Sequence, residues 1–259
     1  MSDNSIHDFD VNIICEYFST IDRQGPGSEN TTWRAASFLH KLPYGATIAD
    51  LGCGTGGQTL TLTECFPDAR IKALDLFPKF IDILRGRCKA CSNVEGMVGS
   101  MDDLPFEKES LDAIWCEGAV YNIGFRRALD YWRDYLKDGG YIAMTDASWL
   151  TAERPAEIEA FWKDAYPGIQ SVAGNISDIV NAGYAPEAAF VLGDECWTDN
   201  FYEPQREAQR KFLAQYPDNA TAEMLVCNQR REAEMYSRYS RYYGYVFYIC
   251  RKPDAHPGA

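Results

Sequence analysis

Histidine, clustered positive charge and long apolar segments are scarce in this sequence. Its 259 residues include only 3 histidines and carry a net charge of −13. A zinc site needs several histidines or cysteines close together, and the lone motif 88–91 (Cys-Lys-Ala-Cys) supplies one pair only. Nucleic-acid binding needs a basic surface that replaces phosphate counterions, so DNA and RNA are disfavoured as partners.

Other missing features bear on the cellular compartment. No apolar run approaches the roughly 20 residues of a membrane span. Residues 1–10 are polar and acidic, unlike the basic start and apolar core of a signal peptide. The 9 cysteines are scattered and odd in number, which argues against a disulfide framework. We therefore expect a cytoplasmic protein without a membrane span, and its oligomeric state stays open.

Apolar strand-like segments alternate with helical ones through the first half of the chain. This alternation predicts an α/β fold with a doubly wound, mostly parallel sheet. The expected strands are 47–51, 71–75, 94–98, 111–116, 141–145, 190–192 and 244–250. Ser28 is the expected N-cap of a helix over 29–42, and 137–140 is expected to be a turn.

No linker divides the sequence, so we expect a single domain over 1–259. Its core would be 47–146, and 244–250 would supply the last strand. The N-terminal helices of 1–46 and the inserted helices of 147–243 would cover the core.

A glycine-rich turn follows the first strand. Gly52 and Gly54 let the backbone pass where a Cβ would collide with a bound cofactor. The following helix points its N-terminal N–H groups back at the turn. The turn fits two fingerprints, G-x-G-x-x-G for dinucleotides and D-x-G-x-G beginning at Asp50, so alone it does not identify the cofactor.

Acidic residues around the turn favour one of the two cofactors. A carboxylate at Asp50 would repel a pyrophosphate but would tolerate a cationic amino-acid tail. Asp75, at the end of the second strand, can accept both ribose hydroxyls of either cofactor. After the third strand, Asp102 or its neighbour Asp103 can accept from an adenine amine, with Met101 against the ring.

With these motifs the chain resembles the class I S-adenosylmethionine-dependent methyltransferases, of the small-molecule type related to the ubiquinone and menaquinone methyltransferases. The resemblance covers 47–145 and rests on 50–56, Asp75, 101–106, 111–114 and 136–140. It implies a Rossmann-like sheet of seven strands, the last one antiparallel beside the fifth, with inserted lid helices. It also implies S-adenosyl-L-methionine as the cofactor and methyl transfer as the reaction.

The resemblance assigns roles by position. The loop 24–28 would close over the amino-acid end of the cofactor. Asp50 would orient its ammonium group, Asp75 would hold the ribose, and Asp102 with Met101 would recognise adenine. The residues expected to contact the cofactor are Asp50, Gly52, Cys53, Gly54, Gly56, Asp75, Leu76, Met101, Asp102 and Glu117.

The acceptor is expected where the loops after several strands meet. Methyl transfer is an in-line displacement, so the protein mainly aligns the acceptor and excludes water. The candidate catalytic and acceptor-pocket residues are Glu117, Tyr121, Asp146 and Trp149, with Trp197 and Tyr202 as further aromatic walls. The alternative for the aromatic residues is that they pack the inserted helices onto the sheet.

Two other functions remain open at this point. One is an NAD(P)-dependent oxidoreductase on a similar sheet, and the other is a protein that binds a cofactor without catalysis. The sequence does not identify the acceptor, the methylated atom, the use of a general base or the pathway.

Overall fold

A computed structural model describes residues 11–254, so the expectation for residues 1–10 lies outside the described residues. One sheet forms the centre of the molecule. Its strands are β1 (Thr47–Leu51), β2 (Arg70–Asp75), β3 (Val94–Val98), β4 (Leu111–Cys116), β5 (Leu136–Trp149), β6 (Gln170–Ser171), β7 (Ala185–Val191) and β8 (Tyr243–Arg251).

The strand order is β3-β2-β1-β4-β5-β8-β7, and the two-residue β6 pairs with the end of β5. The strands β1 to β5 are parallel to their neighbours, whereas β8 runs antiparallel to both β5 and β7. The expected doubly wound α/β sheet is therefore confirmed. The last strand lies beside the fifth, as the resemblance implied.

Helices cover both faces of the sheet. They are α1 (Val11–Phe18), α2 (Glu29–Ala36), α3 (Gly57–Cys65), α4 (Pro78–Arg87), α5 (Phe125–Trp132), α6 (Ala156–Ala165), α7 (Val172–Asn181), α8 (Glu203–Gln215) and α9 (Ala220–Tyr239). Alternate strand residues enter two separate cores. Phe247 of β8 belongs to one core, for example, and Tyr248 belongs to the other. This alternation follows from the two-residue period of a strand.

Several boundaries differ from the sequence-based prediction, and the strand expected at 190–192 is β7, Ala185–Val191. The expected turn 137–140 is a bulge inside β5, because Leu136 pairs with Leu111 and Tyr141 pairs with Ala113, with Gly139 at φ +75° between them. Helix α2 ends at Ala36 instead of residue 42. Its predicted N-cap is correct, since the Ser28 hydroxyl accepts a hydrogen bond from the backbone N–H of Thr31. The two glycines in 137–140 thus mark an irregularity of the strand, which continues on both sides of it.

None of the helices within residues 11–254 is long and apolar enough to cross a membrane.

Candidate functional site

The glycine turn lies at the carboxyl end of β1, where open parallel sheets bind ligands. Gly52 has φ +71° and Gly54 has φ +55°, conformations that favour glycine. A Cβ on Gly52 would lie 2.5 Å from the Cβ of Ala119. A Cβ on Gly54 would collide with the side-chain oxygen of Gln24. The turn therefore has glycine at both positions for reasons of backbone conformation and close approach.

Asp75 ends β2 beside this turn. Its Oδ2 accepts the backbone N–H of Gly54 at 2.9 Å, and its Oδ1 accepts that of Phe77 at 3.0 Å. Burial raises the pKa of the Asp75 carboxyl, and the backbone hydrogen bonds oppose this rise. A carboxylate has about four acceptor sites, so each oxygen retains capacity for a further donor such as a sugar hydroxyl.

Asp50 is fully enclosed at the end of β1. Its carboxylate accepts the hydroxyl of Thr59 at 2.6 Å and the side-chain amide of Gln58 at 3.2 Å. Desolvation raises the pKa of Asp50 to about 7. These bonds attach the first turns of α3 to the strand, which is a contact that the sequence reading did not include.

The loop after β3 closes the opposite side of the turn. The methyl of Met101 lies 3.0 Å from the position of a Cβ on Gly52. Asp102 is exposed and forms an ion pair with Arg127 at 3.2 Å. The hydroxyl of Ser100 and this arginine lower the pKa of Asp102. The adenine role of Asp102, like the ribose role of Asp75, stays a prediction.

Residues 22–24, here called the N-terminal strap, lie across the glycine turn. The Gln24 side chain accepts the backbone N–H of Thr55 at 3.0 Å and donates to the Thr55 hydroxyl at 3.1 Å. Asp22 forms an ion pair with Arg87 of α4. The strap therefore covers the turn and shares Gln24 with the predicted closing loop 24–28, whose role over the cofactor stays a prediction.

Glu117, after β4, is the point where the strap, α2 and the sheet meet. Its Oε2 pairs with Arg23 at 3.1 Å. Its Oε1 accepts the Thr32 hydroxyl at 2.7 Å and the indole N–H of Trp115 at 2.9 Å. Glu117 is 8% exposed and both of its oxygens accept hydrogen bonds, so it holds the side chains of Arg23, Thr32 and Trp115 in position.

Arg23 keeps one nitrogen without a partner. Its Nη1 bonds Glu117, whereas its Nη2 is buried and has no hydrogen-bond partner among the described residues. A buried charged donor of this kind is costly unless a further acceptor satisfies it. The sequence reading missed Arg23, although the residue directly precedes the loop 24–28 that it singled out.

Asp146 lies near the carboxyl end of β5, opposite Val246 of β8. It is 1% exposed, and its Oδ2 accepts the phenol of Tyr166 at 3.2 Å. Its Oδ1 is buried without a partner among the described residues. Desolvation raises the pKa of Asp146 to about 7.

The expected aromatic residues fall into two groups. Trp149 and Trp197 are buried, and Trp197 stacks on Tyr236 with ring centroids 4.4 Å apart. Trp149 contacts Tyr243 and lies under the guanidinium of Arg154. Both tryptophans therefore pack covering elements onto the sheet, and a pocket role for them stays a prediction.

Tyr121 and Tyr202 are more accessible than the tryptophans. Tyr121 follows β4 and is 39% exposed. Tyr202 donates its phenol to Glu232 of α9 at 3.1 Å. Glu232 carries no motif and is far from the strand ends in sequence, so sequence reasoning had no signal for it.

Known proteins match this chain most clearly around the glycine turn. Residues 48–140 match the family described as "Methyltransferase domain". A demethylmenaquinone methyltransferase of Tropheryma whipplei is 34% identical over 125 residues, which are 46% of this chain and 50% of the relative. A malonyl-[acyl-carrier protein] O-methyltransferase of Herminiimonas arsenicoxydans is 29% identical over 127 residues, 49% of this chain and 45% of the relative. The chain thus spans about half the length of the curated relatives it matches.

Solved structures extend the likeness to almost the whole chain. A SAM-dependent methyltransferase from Geobacter sulfurreducens, crystallised with S-adenosyl-L-homocysteine, aligns with a TM-score of 0.79 at 16% identity. The alignment covers 93% of this chain and 98% of that structure. The [4+2]-cyclase SpnF aligns with a TM-score of 0.69 at 19% identity, over 91% of this chain and 86% of that one. At these identities the structures establish the common fold.

Proposed function

We propose that the chain methylates a small-molecule acceptor with S-adenosyl-L-methionine, because residues 48–140 match the methyltransferase domain family and a methyltransferase relative is 34% identical over 125 residues. The observation that carries the proposal is this sequence match. In the structure the glycine turn contacts both Asp75 and the N-terminal strap at the carboxyl end of the strands. When bound, the cofactor supplies an activated methyl group, and the sulfur of the cofactor keeps the electron pair of the broken S–C bond.

The described residues fit such a cofactor. Asp75 retains acceptor capacity for ribose hydroxyls. The unpartnered Nη2 of Arg23 suits the carboxylate of an amino-acid tail. Glu117 acts as a positioning residue, since its ion pair with Arg23 fixes the guanidinium.

The remaining expected contacts complete the proposal. Asp50 holds the first turns of α3 and thereby the direction of the helix N-terminus. The backbone at Gly52, Gly54 and Gly56 lets the cofactor approach closely, and Met101 with Asp102 receives the adenine. Cys53 lies within the turn and Leu76 follows Asp75 in sequence, and we assign both to the same wall.

Calorimetric titration of S-adenosylhomocysteine and of NAD+ tests the choice of cofactor. We expect binding of S-adenosylhomocysteine, and Asp75→Ala should weaken it at least about tenfold, or ~1.4 kcal/mol. The control is Asp82→Ala, because Asp82 is exposed on α4 and forms an ion pair with Arg85 of the same helix. Tight NAD+ binding without any response to S-adenosylhomocysteine would overturn the proposal in favour of an oxidoreductase.

A protein that binds the cofactor without transferring its methyl group is the remaining alternative. The structural likeness to a cyclase shows that this fold also occurs in a protein named for another reaction. Methyl transfer from a labelled donor, measured with the acceptor classes described below, separates the two.

A further inference from the structure

Four tyrosines and two acids outside the glycine turn form a connected group, here called the tyrosine cleft. Its members are Tyr121, Asp146, Tyr166, Tyr202, Glu232 and Tyr245. The rings of Tyr121 and Tyr166 have centroids 6.1 Å apart, and Tyr166 donates to Asp146. Trp197 bridges Tyr245 and Tyr202, with centroid distances of 4.9 and 6.1 Å. Tyr202 then donates to Glu232 of α9. Burial and the nearby charges of Tyr121, Glu232, Asp146 and Tyr166 raise the pKa of Tyr245, so the two sets of contacts lie beside each other.

The group joins accessible side chains to a buried acid. Tyr121 is 39% exposed, and its ring packs against Tyr166, which donates to the buried Asp146. Glu232 is only partly buried, and desolvation raises its pKa to about 7. A ligand that contacts Tyr121 can therefore approach the carboxylate of Asp146.

The tyrosine cleft reaches the cofactor side of the sheet. The charges of both Glu232 and Asp75 raise the pKa of Tyr121, so its phenol lies within electrostatic reach of both acids. A Cβ on Gly118, the residue after Glu117, would lie 3.8 Å from the ring of Tyr245. The cleft therefore begins directly beyond the loop that holds Glu117.

The two acids of the cleft lack a cationic partner. No described lysine or arginine lies within 4.0 Å of the carboxylate of Asp146 or Glu232. Tyr202 donates its phenol to Glu232 and Tyr166 donates its phenol to Asp146, and the backbone of Ala147 and the side chain of Asn175 oppose the rise in the pKa of Asp146 that burial causes. Asp146 Oδ1 is enclosed without a partner among the described residues. Buried carboxylates of this kind favour a bound positive charge or donor.

We propose that the tyrosine cleft binds a small molecule with a basic amine and that this amine is the methyl acceptor. The inference rests on the proposed methyl-transfer function. Aromatic faces and carboxylates together attract an ammonium group, which gains cation–π and charge-assisted contacts when it leaves water. A carboxylic or phosphate acceptor would instead face two acids without a counterion.

The same acids can accept the proton that an amine acceptor must lose. A protonated amine has no free lone pair, so its nitrogen must lose a proton before it can form the new C–N bond. The proton passes from the nitrogen to the carboxylate of Asp146 or Glu232, which becomes a neutral carboxylic acid. An acid that titrates near neutral pH is suited to take up this proton.

Binding to the protein saturated with S-adenosylhomocysteine tests the inference without turnover. The probes are phenethylamine, 2-phenylethanol and phenylacetate, which share a ring and differ in the polar group. We expect the amine to bind at least about tenfold more tightly than the other two, and Glu232→Gln to remove most of this preference. Glu234→Gln is the matched control, because Glu234 lies on the same helix, is exposed and contacts Arg238. Equal binding of the three probes, or tighter binding of phenylacetate, would overturn the inference.

Transfer from a labelled methyl donor gives the second measurement, with size-matched amines, phenols and carboxylic acids as acceptors. We expect label in the amine class and its loss in both Glu232→Gln and Asp146→Asn, with unchanged affinity for S-adenosylhomocysteine. Label only in phenols or acids, or no transfer to any class by a protein that binds S-adenosylhomocysteine, would overturn the inference. Failure to bind S-adenosylhomocysteine would instead overturn the proposed function, so the two failures are distinguishable.

Discussion

The half of the molecule around the glycine turn and the half that covers it satisfy their polar groups differently. Between residues 47 and 140, all of them described, every buried side-chain nitrogen and oxygen has a hydrogen-bond partner. The atoms without one lie in the strap, on β5 and β8 and in the covering elements, among them Arg23 Nη2 and Asp146 Oδ1. Native proteins rarely leave such atoms unpaired, so we expect a ligand or solvent to satisfy these two.

The largest expected effect concerns the packing of the cover. Trp197→Ala removes a buried ring that stacks on Tyr236, and we expect a loss of about 3–5 kcal/mol in the free energy of unfolding. Denaturant unfolding measures it, with Trp197→Phe as the milder control. A variant that keeps its stability but loses acceptor binding would instead show that Trp197 belongs to the pocket.

A smaller effect is expected when the turn itself is altered. Gly52→Ala forces a Cβ against Ala119 at a positive φ, which costs about 1–3 kcal/mol and should abolish measurable S-adenosylhomocysteine binding. Gly86→Ala provides the control, because nothing lies within 4 Å of its Cβ inside α4. There, alanine should increase stability by about 0.5–1 kcal/mol. Equal cofactor affinity in the two variants would contradict the close approach assigned to the turn.

The smallest effect is on the pH dependence of stability, which should differ between a buried acid of the cover, Asp146, and one beside the glycine turn, Asp50. The folded state raises the pKa of Asp146 to about 7, so its contribution is fully present below the unfolded pKa of about 4 and is lost as pH rises through 7. Asp146→Asn should therefore flatten the fall in stability between pH 5 and 7, by at most ~1.4 kcal/mol per pH unit. Thermal unfolding across this range measures the slope.

Asp50 is the matched comparison for that slope, since its pKa is also raised to about 7 but Thr59 and Gln58 engage its carboxylate. Asp50→Asn should lower stability at every pH, because it disturbs these bonds to α3. Parallel curves for the wild type and Asp146→Asn would show that Asp146 does not titrate as described.

The sequence predicted the turn half well because its signals are local. The strands 94–98 and 111–116 have the predicted bounds, and Ser28 caps α2 as expected. The turn predicted at 137–140 is a bulge within β5, because Leu136 pairs with Leu111 before it and Tyr141 pairs with Ala113 after it. Local glycine chemistry cannot report a strand partner that lies elsewhere in the chain.

The cover was harder to predict because its contacts join residues far apart in sequence. Arg23 meets Glu117, and Tyr202 meets Glu232, only after the chain has folded. No spacing or motif in the sequence predicts either of these two contacts. The placement of Asp146 and Tyr121 near strand ends was accessible from the α/β pattern, whereas their surroundings were not.

The position of β8 also governs how the chain can be made. This strand lies between β5 and β7, so residues 243–251 must leave the ribosome before the sheet can close. Until then the edge of β5 stays open, and β7 has no neighbour to pair with. Exposed strand edges invite pairing with other chains. The nascent protein therefore exposes unpaired strand edges while its covering helices are synthesised, until residues 243–251 have left the ribosome and paired with β5 and β7.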